Sequence, residues 1–131
     1  MGFVLDFDAS NNILRVRLED KLTDAILLEA YATAARYVAA HAPCHGILDA
    51  SQVTKFEVSS NAVRELAQSS PVIPAGYTRV FVAPLDSVYG MARMFQILGE
   101  LTRPDFHIVR TADEAYRLLR VESPEFSPVK Q

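Results

Sequence analysis

Three groups of residues in this chain are of types that could do chemistry. His41, Cys44 and His45 fall within five positions of one another and are all side chains that ligate zinc. A zinc site takes four ligands, and the one remaining histidine, His107, lies a predicted strand away. Pro43 also breaks the helical register between His41 and Cys44. The group therefore reads as a helix C-terminus, where histidine meets the negative end of the helix dipole and cysteine packs as a small apolar group.

The second group runs Leu48-Asp49-Ala50-Ser51-Gln52-Val53-Thr54 and continues to Ser59-Ser60-Asn61. Asp49 and Ser51 are expected where a parallel strand ends, the edge at which open α/β sheets place their sites. Ser59 or Ser60 can cap the following helix by accepting an N–H from its first turn. The same N–H groups can cradle a phosphate, on a ligand or on the serine itself. Capping is the simpler reading, and phosphate is the chemical alternative.

The third group begins at Asp86-Ser87, a second strand-to-helix junction, and continues through Tyr89, Gly90, Met91, Arg93, Met94, Phe95 and Leu98. A glycine inside a helix costs about 1 kcal/mol relative to alanine, so Gly90 is expected where the helix packs closely on the sheet. The methionines and aromatics occupy more than one helical stripe. Tyr89, Arg93 and Met94 are thus candidates for a surface that meets a partner, together with Asp49, Ser51, Asp86 and Ser87 on the same rim.

No catalytic set emerges from these groups. The five glycines, at 2, 46, 76, 90 and 99, are too scattered for a phosphate-binding loop, and there is no G-x-S-x-G elbow. Nothing in the spacing of Asp49, Asp86, His107 and the serines requires them to converge. The expectation is a protein without catalytic residues, bound metal or cofactor.

The elements that must position these groups follow from periodicity. Phe3, Leu5 and Phe7 alternate with Val4, Asp6 and Asp8, and Leu14, Val16 and Leu18 alternate with Arg15, Arg17 and Glu19. The period of two predicts an antiparallel hairpin turned at Ala9–Asn12. From Thr23-Asp24, Ile26, Leu27, Ala30, Tyr31, Ala34 and Val38 recur at helical spacing until Pro43. Three continuous apolar runs follow, Gly46–Ala50, Arg79–Ala83 and Phe106–Val109, each leading into a helix. Such runs predict parallel strands covered by helices. The last helix opens with Thr111-Ala112-Asp113-Glu114, a capping-box spacing.

The prediction is a single α/β domain over residues 1–122, in the order ββα followed by three βα units. Its sheet is expected to be mixed, mostly parallel and five-stranded, with about four helices. Residues 123–131 are expected to form a flexible tail.

Composition narrows the class. The chain has 131 residues, half of them apolar and 22% charged, with a net charge of −3. That balance argues against nucleic acid or an anionic membrane surface as a partner. No run approaches the roughly 18 apolar residues of a membrane span. An N-terminus without a basic region and a lone Cys44 predict a cytoplasmic location.

The element order, the Leu48-Asp49-Ala50-Ser51-x-Val53-Thr54 segment and the Ser59-Ser60 helix start resemble STAS domains of the anti-sigma-factor antagonist type. Val82-Ala83-Pro84, the Tyr89-Gly90-Met91-Ala92-Arg93-Met94-Phe95 stretch and Val109-Arg110-Thr111-Ala112-Asp113-Glu114-Ala115 are similar to SpoIIAA-like bacterial proteins. The resemblance covers about residues 3–121. It implies a regulatory module that binds a protein partner and is phosphorylated at a serine opening the second helix, the place of Ser59 and Ser60. This chain reads Glu57-Val58-Ser59-Ser60-Asn61, without the aspartate and glycine of the Asp-Ser-Ser-Gly context and one residue further from Val53-Thr54. The alternative is a small-molecule binder, for lipid or nucleotide, with an apolar pocket near the Tyr89–Leu98 helix. A homodimer through the first hairpin edge or the Met/Phe face is a further expectation.

Overall fold

Residues 2–100 and 103–129 are described by a computed structural model. The hairpin forms where the alternation places it: β1 (Phe3–Asp8) and β2 (Ile13–Thr23) pair antiparallel, setting Phe3 against Leu18, Leu5 against Val16 and Phe7 against Leu14. Asn12 adopts a positive φ of 58° in the turn, a conformation asparagine tolerates because its short side chain bonds locally.

After β2 come α1 (Asp24–Ala40), β3 (His45–Glu57), α2 (Ser60–Gln68), β4 (Arg79–Val82), α3 (Asp86–Leu98), β5 (Phe106–Val109), α4 (Ala112–Leu118) and β6 (Ser127–Pro128). The strands form one mixed sheet in the order β5-β4-β3-β2-β1-β6, parallel from β2 to β5. Each successive crossover from β2 onward moves the same way across the sheet. Because the hand of such crossovers is fixed, their helices fall on one face. Accordingly α1, α2 and α3 share one apolar cluster with Leu5, Leu18, Leu22 and Phe81, while α4 covers Ile13, Ile47, Val80 and Val82 on the other face.

The sheet has six strands where five are expected. The sixth lies in residues 123–129, predicted as a flexible tail. Ser127 and Pro128 pair with Phe7 and Asp6 of β1, the Glu125 amide donates to Asp8 Oδ2 at 2.9 Å, and Phe126 packs in the α4 cluster. The Arg15 guanidinium also lies 3.8 Å from the centroid of the Phe126 ring. No apolar alternation announces β6, because its strand pairing and the Glu125 and Arg15 contacts join it to residues more than a hundred positions away.

Strand β3 also runs on past Ala50. Beyond Asp49 it loses β4, which ends at Val82, but β2 continues beside it as far as Thr23. Gln52 to Glu57 therefore keep backbone partners and remain extended. The pairing slips at two places, from Arg17↔Asp49 to Glu19↔Gln52 and again after Asp20↔Val53. At the first slip Asp49 Oδ1 accepts the Ser51 amide at 2.8 Å, satisfying a backbone donor that the bulge leaves unpaired.

Candidate functional site

The sheet offers two ends, one at the carboxyl ends of the parallel strands and one at their amino ends. At the carboxyl end Ser59 is the N-cap of α2, accepting the Ala62 amide on its hydroxyl oxygen at 3.2 Å. Its own amide and hydroxyl donate to the two carboxylate oxygens of Asp24, both at 2.7 Å. Asp24 stands in the first turn of α1, capped by Thr23. The Ser59 hydroxyl and then its backbone N–H hold the Asp24 carboxyl below its ordinary value. The N-termini of α1 and α2 are thus tied by one half-buried aspartate, and Ser60, next to Ser59, is open to solvent.

The α3 junction is built on Arg110. Its guanidinium donates to Asp86 Oδ1 at 3.0 Å and to the Pro84 carbonyl at 3.2 Å, and lies 4.0 Å from the centroid of the Tyr89 ring. Ser87 is exposed. On α3 itself Arg93 bonds Gln96, whose amide reaches the Phe106 carbonyl, and Met94 is half-buried against the core. Gly90 corrects the packing expectation: a Cβ there would meet nothing within 4 Å. The residue is exposed, so close approach to the sheet does not explain it.

Asp49 and Ser51 do not stand at a strand end. Asp49 is buried in mid-β3 and its carboxylate accepts the Ser51 amide at the bulge. His107 is exposed on edge strand β5 and shares no hydrogen bond or ion pair with Asp49, Asp86 or the serines among the described residues.

Among the described residues no cluster of histidine, cysteine and acidic side chains could hold a metal. His41 stacks on Tyr37 at 4.0 Å and bonds its carbonyl, and His45 Nδ1 accepts the Thr78 amide at 3.0 Å. Cys44 is fully enclosed, and burial pushes its thiol up.

Under α3 the apolar side chains of Leu27, Val63, Phe81, Met91 and Phe95 leave a gap of about 10 Å³, at or below the room one water needs. A larger space, of about 70 Å³ and half-enclosed, lies at the other end of the sheet. Its wall is drawn from α1 (Ala30, Tyr31, Ala34), the starts of β3, β4 and β5, and Val72 and Ile73 of the α2–β4 loop.

Two arginines stand in this wall, and neither belongs to the groups whose types and spacing suggest chemistry. Arg103, 3% exposed, donates to the carbonyls of Leu66, Ala67 and Ser69 at 2.9–3.0 Å and lies over the Phe95 ring. It supplies the cation that α2 lacks in its own last turn. Arg79, 8% exposed, grips a single carbonyl, that of Ile73, with Nε at 3.0 Å and Nη2 at 2.5 Å. Gly46 makes this possible: it neighbours Arg79 in register, and a Cβ there would come within 2.8 Å of Ile73.

The grip leaves Arg79 Nη1 buried without a hydrogen-bond partner, a condition that costs about 1–3 kcal/mol for a neutral donor and more for a charged one. Burial, and then the neighbouring Arg103, push the Arg79 guanidinium below its ordinary value, against the opposing pull of Tyr31 and Asp105. Tyr31 is partly exposed but its phenol oxygen is enclosed. Burial drives it up to about 12 in spite of Arg103 and Arg79, so it is a protonated donor at neutral pH.

A signal for Arg79 was present in the sequence. It shares the period-two face of Phe81 in an otherwise apolar run, which puts a charge on the core side of a covered strand. Arg103 carried no such signal, since it belongs to a loop. No family model matches the chain, and a comparison with curated proteins returns no match.

Proposed function

We propose that the chain is a non-catalytic interaction module of STAS-like type that docks a protein partner through the outer face of α3 and the adjoining rim. The observation that carries this is the exposure of Ile97 (58%) and Leu98 (51%) on that helix. Single exposed aliphatics are ordinary, but here they are grouped. Leu85, Tyr89, Arg93 and Ile97 follow at four-residue spacing, with Met94 and Leu98 on the adjoining row. An apolar strip with Arg93 within it and Asp86 at its edge is the composition of a docking surface. The order of elements, with three parallel crossovers covered on one face, supports the STAS-like assignment.

Regulation by phosphate falls to Ser60 more readily than to Ser59. A phosphoryl group on Ser59 would face the Asp24 carboxylate and displace the hydroxyl that now bonds it, whereas Ser60 projects beside the same helix N-terminus. The test is a photo-crosslinking side chain at position 97, with position 117 on α4 as control, in cells of the native host. A discrete adduct specific to position 97 supports the reading, with twice the chain mass denoting a second copy. Equal or absent adducts at both positions overturn it. Intact mass of the native protein then decides the regulation: a phosphate mapped to Ser60 supports it, and an unmodified chain across growth conditions removes it.

A further inference from the structure

We propose that the cavity at the amino ends of β3, β4 and β5 is a binding site for a small monocarboxylate with an apolar body, its carboxylate paired with the Arg79 guanidinium. The inference is independent of the docking face on α3, which lies elsewhere on the molecule.

Arg79 is more than nine-tenths buried, lines the cavity, and leaves Nη1 unpartnered. No carboxylate of the described residues forms an ion pair with it. Buried charges are ordinarily paired, so the natural complement is an anion that arrives with the ligand. The other charged or titratable groups here are Arg103, already committed to α2 carbonyls, the protonated phenol of Tyr31, and Asp105, which acts on Arg79 electrostatically. Two cations against one carboxylate favour a single negative charge.

The rest of the wall is hydrocarbon: Leu14, Val16, Ala30, Ala34, Val72 and Phe106. Inorganic phosphate would have to be desolvated against that surface, as would the sugar and phosphates of a nucleotide. Nη1 is closed to a water-sized probe, so water does not already serve this charge from the cavity. About 70 Å³ is room for roughly five water-sized spheres. It suits an acid of about four to seven carbons, such as hexanoate or benzoate, whose tail can use the open side.

The test is a titration of the full chain, labelled with ¹⁵N-arginine, with hexanoate, benzoate, hexan-1-ol and inorganic phosphate, following the side-chain Nε–H resonance of Arg79. Saturable shifts are expected with the two carboxylates. The alcohol should bind at least about tenfold more weakly, because a charge-assisted bond is lost. Phosphate should leave the resonance in place. Arg79→Gln, and Ala34→Leu, which fills the cavity from α1, should each weaken hexanoate at least about tenfold. Hexanol binding as well as hexanoate, phosphate binding as well as either acid, or no saturable shift with any carboxylate overturns the proposal. The wild-type ligand series decides the matter even if a variant fails to fold.

Discussion

The two ends of the sheet use arginine in opposite ways. At the carboxyl end Arg110 is half-exposed and pairs with Asp86, whose side chain is 97% exposed. At the amino end Arg79 and Arg103 are buried and bonded to main-chain carbonyls. An exposed ion pair is worth little, because water serves both partners nearly as well. A buried guanidinium has no such substitute, and each carbonyl it leaves would be orphaned. The rim is therefore free to change for a partner's sake, while the amino end is constrained by the fold and still holds one unused donor.

The largest expected effect follows directly. Arg103→Ala removes the hydrogen bonds that close α2 and the packing over Phe95. It should lower the unfolding free energy in urea by about 3 kcal/mol or more, while Arg110→Ala costs under about 1 kcal/mol. Equal losses would erase the contrast between the ends.

Acid sharpens it. Asp8, fully enclosed at the amino end, is pushed up by burial, but the hydrogen bonds it accepts from Glu125, Asn11 and Ser10 outweigh this and hold its carboxyl below the ordinary value. A carboxyl depressed in the folded state contributes stability that is complete above its ordinary pKa, near 3.8. That contribution is lost as pH falls from there through the lower native value. The unfolding free energy should decline over that window, and Asp8→Asn should flatten the decline. Asp24→Asn, at the exposed end, should flatten it much less. A larger flattening from Asp24→Asn would reverse the contrast.

Smaller effects belong to the rim. Ser59→Ala removes the α2 cap and its link to Asp24, and should cost about 1 kcal/mol in thermal or urea unfolding. Gly90→Ala should stabilise by up to about 1 kcal/mol, since the new methyl meets open space and the helix gains propensity. A loss at position 90 would mean that α3 is packed there after all.

Much of the fold was legible because its signals are local. The hairpin alternation, the Thr23, Ser59 and Thr111 caps, and the apolar runs of β3 to β5 each state their own geometry within a few residues. Two expectations fail because the surroundings, not the local sequence, decide them. The apolar run stops at Ala50 and so predicts a strand end beside Asp49, yet β3 goes on, held by β2. Gly90 suggested close packing but stands in the open.

What the sequence by itself determined is the order of elements, the helix starts and the face each strand turns to the core, because periodicity and capping chemistry act over a handful of bonds. Only the tertiary structure decided that Arg79 and Arg103 meet in one wall, that Asp24 reaches Ser59, and that β6 closes on β1. Those contacts join residues 24 to 122 positions apart in the chain. Their partners are chosen by packing and by the need to satisfy buried polar groups, which no short stretch of sequence expresses.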